Sequence, residues 1–280
     1  MRKLIAILIF SAVCALQSGA QTLTATYVAL ADSADRYMKA ERWADAERVI
    51  VKALRHEPAN KSNYLLWANL GVVRTNLQDY DGALEACDIG LATAPRSTAL
   101  LSNRARVLLA KGQRAAAKED LTEALAVDST LQWPRKMRGI LRAADGDTTG
   151  AEEDFKIYTS KYGDDAAILE AEGDMAAATG DADKAVTKYR GAYALEPDEN
   201  LLGRELLVAY SFGKIEDVAD DIAEGLRKYP RNGTLYLIRA MLNKARYQTS
   251  AMESDLKTAL EFGVSRELYD ALTATPGEKK

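Results

Sequence analysis

Residues 64–97 read YLLWANLGVVRTNLQDYDGALEACDIGLATAPRS, and the next 34, residues 98–131, read TALLSNRARVLLAKGQRAAAKEDLTEALAVDSTL. Laid over one another, the two stretches put small residues, a turn and an apolar rhythm in the same places. The register extends in both directions. Ala46, Ala83, Ala117, Ala151 and Ala185 form one series, with steps of 37, 34, 34 and 34. A second runs Ala34, Gly71, Ala105, Gly139, Gly173, and returns at Ala240. Small residues at fixed places let paired helices approach closely. Gly112, Gly146, Gly180 and Gly213 recur where a first helix must stop in a left-handed cap. Pro58, Pro95, Pro197 and Pro230 stand where a second helix must end, since proline cannot continue it. Each unit thus reads helix, tight turn, helix, loop, and no strand-like alternation of any length interrupts the pattern.

These residues resemble the tetratricopeptide repeat family, whose 34-residue pattern carries Trp at position 4, Leu-Gly at 7 and 8, Tyr at 11, Ala at 20, an aromatic at 24, Ala at 27 and Pro at 32. The second repeat matches with Trp67, Leu70-Gly71, Ala83 and Pro95; the fifth with Gly173, Ala185, Tyr189, Ala192 and Pro197; the first with Tyr37, Ala46, Ala53 and Pro58. The resemblance implies an all-α helical-hairpin solenoid, a right-handed superhelix of about seven repeats near 27–60, 64–97, 98–131, 132–165, 166–198, 199–232 and 233–266. The sixth repeat has Val218 and Gly225 where alanines are expected, and the seventh has Met252 at position 20. A capping helix is expected over 265–274, shielding the apolar face of the last repeat, then a disordered tail over 275–280.

The N-terminus reads differently. Arg2 and Lys3 precede a 13-residue apolar run, Leu4 to Leu16, broken only by Ser11, and Ser18-Gly19-Ala20 supplies small residues for a signal peptidase. Residues 1–20 are therefore expected to be a cleavable signal peptide, the run being too short to span a bilayer comfortably, and residues 21–274 the repeat domain. Periplasmic export is favoured over full secretion. Cys14 follows Ser11-Ala12-Val13, unlike a lipobox, so a lipoprotein is not expected.

Composition narrows the function. The chain is 48% hydrophobic and 28% charged, with a net charge of -4, which argues against nucleic-acid binding. One histidine and two cysteines leave little for a disulfide framework or a His/Cys metal site, so no cofactor or metal is expected. His56 reads as a polar residue at a helix C-terminus and Cys87, at position 24, as a small core residue. No phosphate loop, dinucleotide fingerprint or nucleophile elbow appears, and acidic neighbours such as Glu152-Glu153-Asp154 read as a solvated helix face, so an enzyme is not expected.

Charge is patterned in two ways. Opposite charges occupy positions 7 and 23 of several repeats, 16 residues apart: Arg104 and Asp120, Arg138 and Asp154, Arg239 and Asp255, and, with signs exchanged, Glu172 and Lys188. Helix-to-helix ion pairs are expected there, with a structural role. On a longer scale, residues 96–142 hold 10 basic and 4 acidic residues, and residues 145–199 hold 5 basic and 15 acidic.

The resemblance implies a protein-protein interaction scaffold that binds a partner protein or peptide, mostly along a concave face lined by the first helix of each repeat at positions 2, 5, 9, 12 and 13. That selects Leu65, Ala68 and Val72; Ser102, Arg106 and Leu109; Trp133, Lys136 and Ile140; Glu170 and Asp174; then Tyr210 and Met241. Arg106, Trp133 and Lys136 are expected to take an acidic or carboxylate-bearing segment, which Glu170 and Asp174 would repel one repeat later. Trp133, just before Pro134, reads equally as a staple at the start of its own helix. The family's clamp for C-terminal carboxylates is absent, because Ala31, Asp35, Ala68 and Val72 stand where its Lys and Asn are needed. A structural subunit of an envelope assembly is the alternative reading.

Overall fold

A computed structural model describes residues 24–273; the expected signal peptide and tail lie outside them. The described residues form fifteen α-helices and no strand. The chain divides into two compact units, one ending at Leu141 and the other beginning at Arg142.

The first unit contains α1 (Ala25–Lys39), α2 (Trp43–His56), α3 (Asn63–Asn76), α4 (Tyr80–Thr93), α5 (Thr98–Ala110), α6 (Arg114–Val127) and most of α7 (Gln132–Ala144). The second contains α8 (Thr148–Tyr162), α9 (Ala166–Ala178), α10 (Ala182–Leu195), α11 (Glu199–Ser211), α12 (Ala219–Lys228), α13 (Gly233–Ala245), α14 (Thr249–Glu261) and α15 (Arg266–Thr273). In the first unit α1 with α2, α3 with α4 and α5 with α6 pair as hairpins, each leaning on the next, and in the second α9 with α10, α11 with α12 and α13 with α14 do the same. One cluster joins Tyr27, Ala34, Met38, Ile50, Leu70 and Val73 of the first two repeats. Another joins Leu206, Val218, Ile222, Leu235 and Ile238 of the sixth and seventh, and Leu268 and Tyr269 of α15 pack against it, as a cap requires.

Side-chain size sets the pairing. The position-20 alanines Ala46, Ala83, Ala117, Ala151 and Ala185 are fully buried. A Cβ on Gly71 would lie 2.8 Å from Cys87 Sγ, and one on Gly173 would lie 2.8 Å from the Tyr189 ring. Glycine at position 8 and the residue at position 24 therefore share one space, and Cys87 is a buried core residue. The last repeats pack closely despite their departures. Val218 is buried, and Gly225 leaves room for Leu202, which a Cβ would meet at 2.6 Å. The start of the second helix in the sixth repeat is a 3-10 turn, Ile215–Val218.

The intra-repeat turn is one conformation used seven times. Gly112, Gly146, Gly180 and Gly213 have φ of 74, 82, 82 and 71°. The equivalent residues of repeats one, two and seven are Glu41, Gln78 and Tyr247, at φ 54, 63 and 58°. The glycine series showed four of these turns; the backbone requires the left-handed region in all seven, and three L side chains accept the strain. Helix starts have a shared chemistry too. Asp79, Asp147, Asp165, Asp181 and Asp198, together with Thr24, Ser97 and Asn232, accept hydrogen bonds from the first-turn amides of their helices.

Position-7 to position-23 ion pairs form in the third, fifth and seventh repeats. Arg104 grips Asp120 with two bonds, Nε–Oδ2 at 2.8 Å and Nη2–Oδ1 at 2.7 Å, and also reaches Asp88. Arg239 grips Asp255 at 2.9 and 2.6 Å, and Lys188 meets Glu172 at 2.7 Å with the signs exchanged. Asp120 and Asp255 are buried while their arginines reach solvent, so the bidentate geometry fixes the helix pair and solvates the acid. Asp154, also buried, accepts from Arg142 Nη1 at 2.9 Å. Arg142 also donates to Gly150 O, as Arg74 does to Gly82 O eight residues on, a second recurring device at position 11.

The sixth repeat breaks the ion-pair rule. Its positions 7 and 23 are Glu205 and Asp221, both acidic, and Arg190 of α10 bridges them, with Nη2 3.1 Å from Glu205 and 2.6 Å from Asp221. Glu205 is almost inaccessible, and burial, with Asp221 adding to it, pushes its carboxyl up to about 7.

Two stability measurements test these devices. Gln78 is exposed, so Gln78→Gly should stabilise the protein by about 0.5–1 kcal/mol in urea unfolding, and Gly112→Gln should destabilise it by about as much. A neutral or opposite result would mean that the turn is not strained. For Glu205 the folded-state pKa lies above that of the unfolded chain, so between about 4.5 and 7 the folded protein holds a proton the unfolded one has lost. Stability should fall as pH rises through that window, by about 2–3 kcal/mol, and level off above it. Glu205→Gln should flatten this part of the pH profile and raise the unfolding midpoint at pH 8; an unchanged profile would refute the assignment.

Candidate partner-binding face

Helix α5 places Arg106 and helix α7 places Trp133, both within the first unit. The two side chains stack. The Arg106 guanidinium carbon lies 3.5 Å from the centroid of the Trp133 ring. Such a contact contributes roughly 0.5–2 kcal/mol and, more to the point, holds a flexible side chain flat. Trp133 is half-buried and packs against a core of the third and fourth repeats formed by Ala105, Leu108, Ala117, Leu121 and Leu141. It is thus both anchored in the fold and laid against an arginine, and the two readings of this residue are compatible.

Arg106 differs from the other arginines just described. Arg104, Arg142, Arg190 and Arg239 each hold a carboxylate, and so do Arg74, Arg204 and Arg246. Among the described residues Arg106 has no such partner, and its Nε is sealed from solvent without a hydrogen bond. Burial alone draws its pKa down to about 10, which leaves it charged at neutral pH. A half-buried cation without a counter-ion costs stability, of the order of 1–3 kcal/mol for an unmet charged donor. Lys136 follows Trp133 by three residues on α7 and is half-buried. Ser102, one turn before Arg106, is half-buried as well. Ala68, expected on the same face, is instead in the core beneath Leu101, and its carbonyl accepts from Asn103 Nδ2 at 3.1 Å.

The second unit holds the other nominated residues. Glu170 and Asp174 project from α9 and both meet Arg204 of α11. The Tyr189 hydroxyl donates to Asp174, and Arg204 lies 5.4 Å from the Tyr189 ring centroid. Burial and the neighbouring carboxylate hold the Tyr189 hydroxyl well above its ordinary pKa. The expectation that Glu170 and Asp174 act as bare repelling charges needs correction, because Arg204 neutralises much of their field. Sequence spacing could have found this: Arg204 is 34 residues after Glu170, one full repeat on. Tyr210 is half-buried on α11 and packs against the core of the last repeats.

Two shallow depressions lie elsewhere, one of about 620 Å³ lined by Tyr64, Pro95 and Arg96, the other of about 650 Å³ lined by Asp220, Arg227, Tyr236 and Arg239. Neither contains a nominated residue. Among the described residues no group of three or more metal-ligating side chains converges, and no helix is long and apolar enough to cross a membrane.

Comparison with known proteins agrees with the fold. A tetratricopeptide repeat family model matches residues 32–98 and 136–200. A tetratricopeptide repeat protein of Parabacteroides merdae is 22% identical over 89% of this chain and 98% of its own, with a TM-score of 0.64. PilW, described as a widely conserved type IV pilus biogenesis factor, is 20% identical over 76% of this chain and 98% of its own, TM-score 0.62. The C-terminal part of a repeat-containing protein of Cytophaga hutchinsonii is 16% identical over 87% of this chain and 99% of its own, TM-score 0.63. No curated protein sequence matches the chain significantly. The repeat register and the family match coincide over residues 32–98 and 136–200, and those stretches are tetratricopeptide repeats.

Proposed function

We propose that this protein is an exported scaffold that holds a segment of a partner protein against the first-helix face of its third and fourth repeats, with Arg106, Trp133 and Lys136 as the contact residues. The single observation that carries the reading is the Arg106–Trp133 stack, in which a tryptophan fixed in the fold presents an arginine that none of the described residues neutralises. Tryptophan and arginine are the residue types that most often dominate binding energy at protein interfaces. Repeats of this family generally serve protein interaction, which supports a binding role in preference to catalysis. Export rests on Arg2, Lys3 and the apolar run that follows them. The description of PilW as a pilus biogenesis factor supports a cell-envelope setting, in which a periplasmic scaffold would work.

Two experiments test this. Expressed in a Gram-negative cell, the full chain should appear in the periplasmic fraction with Gln21 as its first residue; cytoplasmic retention of an uncleaved chain would overturn the export reading. A photo-crosslinking residue at Ser102 should capture a partner from envelope extract, while the same residue at the exposed Glu119 of α6 should not. Trp133→Ala should weaken that partner roughly thirtyfold, following from a loss of about 2 kcal/mol. Because Trp133 also packs on the core, its unfolding midpoint must be measured alongside. A folded Trp133→Ala protein with unchanged affinity would exclude this face.

A further inference from the structure

Arg106 identifies the chemistry of the missing contact. We infer that the first-helix face of repeats three and four takes an acidic segment of the partner, one of whose side-chain carboxylates seats end-on against the two terminal nitrogens of Arg106. The inference rests on the binding role proposed above and names its ligand class.

Three observations carry it. First, Arg106 has no counter-ion among the described residues, although at least ten other arginines have one. The protein therefore solves the same electrostatic problem repeatedly and leaves it open at this half-buried site. Second, the geometry of approach is restricted. Trp133 covers a face of the guanidinium at 3.5 Å, and Nε is sealed from solvent. The side-on approach through Nε and one Nη is closed, so a carboxylate has to come end-on, through Nη1 and Nη2, in the plane of the fork. Guanidinium and carboxylate match in that arrangement, with two parallel hydrogen bonds. Third, the surroundings favour several negative charges over one. Lys136 is one turn from Trp133 on α7, and residues 96–142 carry 10 basic residues against 4 acidic. An internal acidic segment gains from this field along its length, whereas a lone terminal carboxylate would use only Arg106.

An unpaired arginine that served only the fold would behave differently from one held for a ligand. Replacing Arg106 by Gln removes a half-buried charge that has no partner, so the unfolding midpoint should stay level or rise. A structural role predicts a fall.

The test uses the full mature chain and three synthetic decapeptides, followed by calorimetry or fluorescence anisotropy at low salt. One is glutamate-rich, acetylated and amidated. The second replaces each Glu by Gln and keeps a free C-terminal carboxylate. The third is the same Gln peptide, amidated. The glutamate-rich peptide should bind, and the two Gln peptides should bind at least tenfold more weakly. Arg106→Gln should lose at least tenfold for the glutamate-rich peptide. Arg106→Lys should recover only part of this, since an ammonium keeps the charge and loses the fork. Arg114→Gln, which removes an exposed charge from α6, should change binding less than twofold. Equal losses in the Arg106 and Arg114 variants would show bulk attraction and overturn the inference, as would preference for the free-carboxylate Gln peptide. Self-association of the wild type that Arg106→Gln abolishes would make a second copy the occupant and overturn it too. If crosslinking at Ser102 captures a partner in a Trp133-dependent way while Arg106→Gln binds it normally, the binding role survives and the acidic ligand fails.

Discussion

Two helices of a repeat can lie side by side here only because one residue on each is nearly absent. Gly71 and Ala83, or Gly173 and Ala185, bring the backbones close enough for the residue at position 24 to fill the seam, and a single added methyl would meet Cys87 or Tyr189 at 2.8 Å. Interiors packed at this density do not absorb such a change. The rest follows from that contact. It aligns positions 7 and 23, so that an arginine on one helix reaches an aspartate on the other with both oxygens. It places the hairpin turn where only a left-handed residue closes it. Once the pair is set, the next pair packs on it, and neighbouring repeats share a core.

The close contact is also why so much of the fold could be read from the letters. Small residues at a fixed period point to closely paired helices and to little else, and with the recurring glycines they pointed to the hairpins and to four of the seven turns. Oppositely charged letters 16 apart placed the ion pairs. What escaped was chemistry that uses different letters for the same task. Glu41, Gln78 and Tyr247 occupy the left-handed turn without looking like glycine. Glu205 and Asp221 share a sign, so nothing in the pair itself announces Arg190, which belongs to the neighbouring helix. The contact of Arg142 with Asp154 joins residues 12 apart, outside the spacing of 16 that marks the other pairs.

The candidate face was legible in part, for a related reason. Position numbers brought Arg106 and Trp133 to one face, but a position does not say whether a charge is already spoken for. Glu170 and Asp174 stand at equivalent positions on a later repeat, and Arg204 neutralises them. Arg106 has no such neighbour among the described residues. The distinction between an internal ion pair and an open one belongs to three-dimensional contact, and it separates Glu170 and Asp174, held by Arg204 in the second unit, from Arg106 in the first.

The helix starts bear on the surface charge. In the second unit the first-turn amides of α8, α9, α10 and α11 are each met by an aspartate: Asp147, Asp165, Asp181 and Asp198. In the first unit, α1 and α5 use Thr24 and Ser97 for the same bond. Both chemistries close a helix, yet one deposits a negative charge and the other none. Four of the 15 acidic residues between 145 and 199 are therefore there to begin helices. The choice between a hydroxyl and a carboxylate cap then acts as a dial on surface potential that leaves the backbone untouched. A repeat protein can grow more anionic or more neutral, one hairpin at a time, while keeping every packed contact it has.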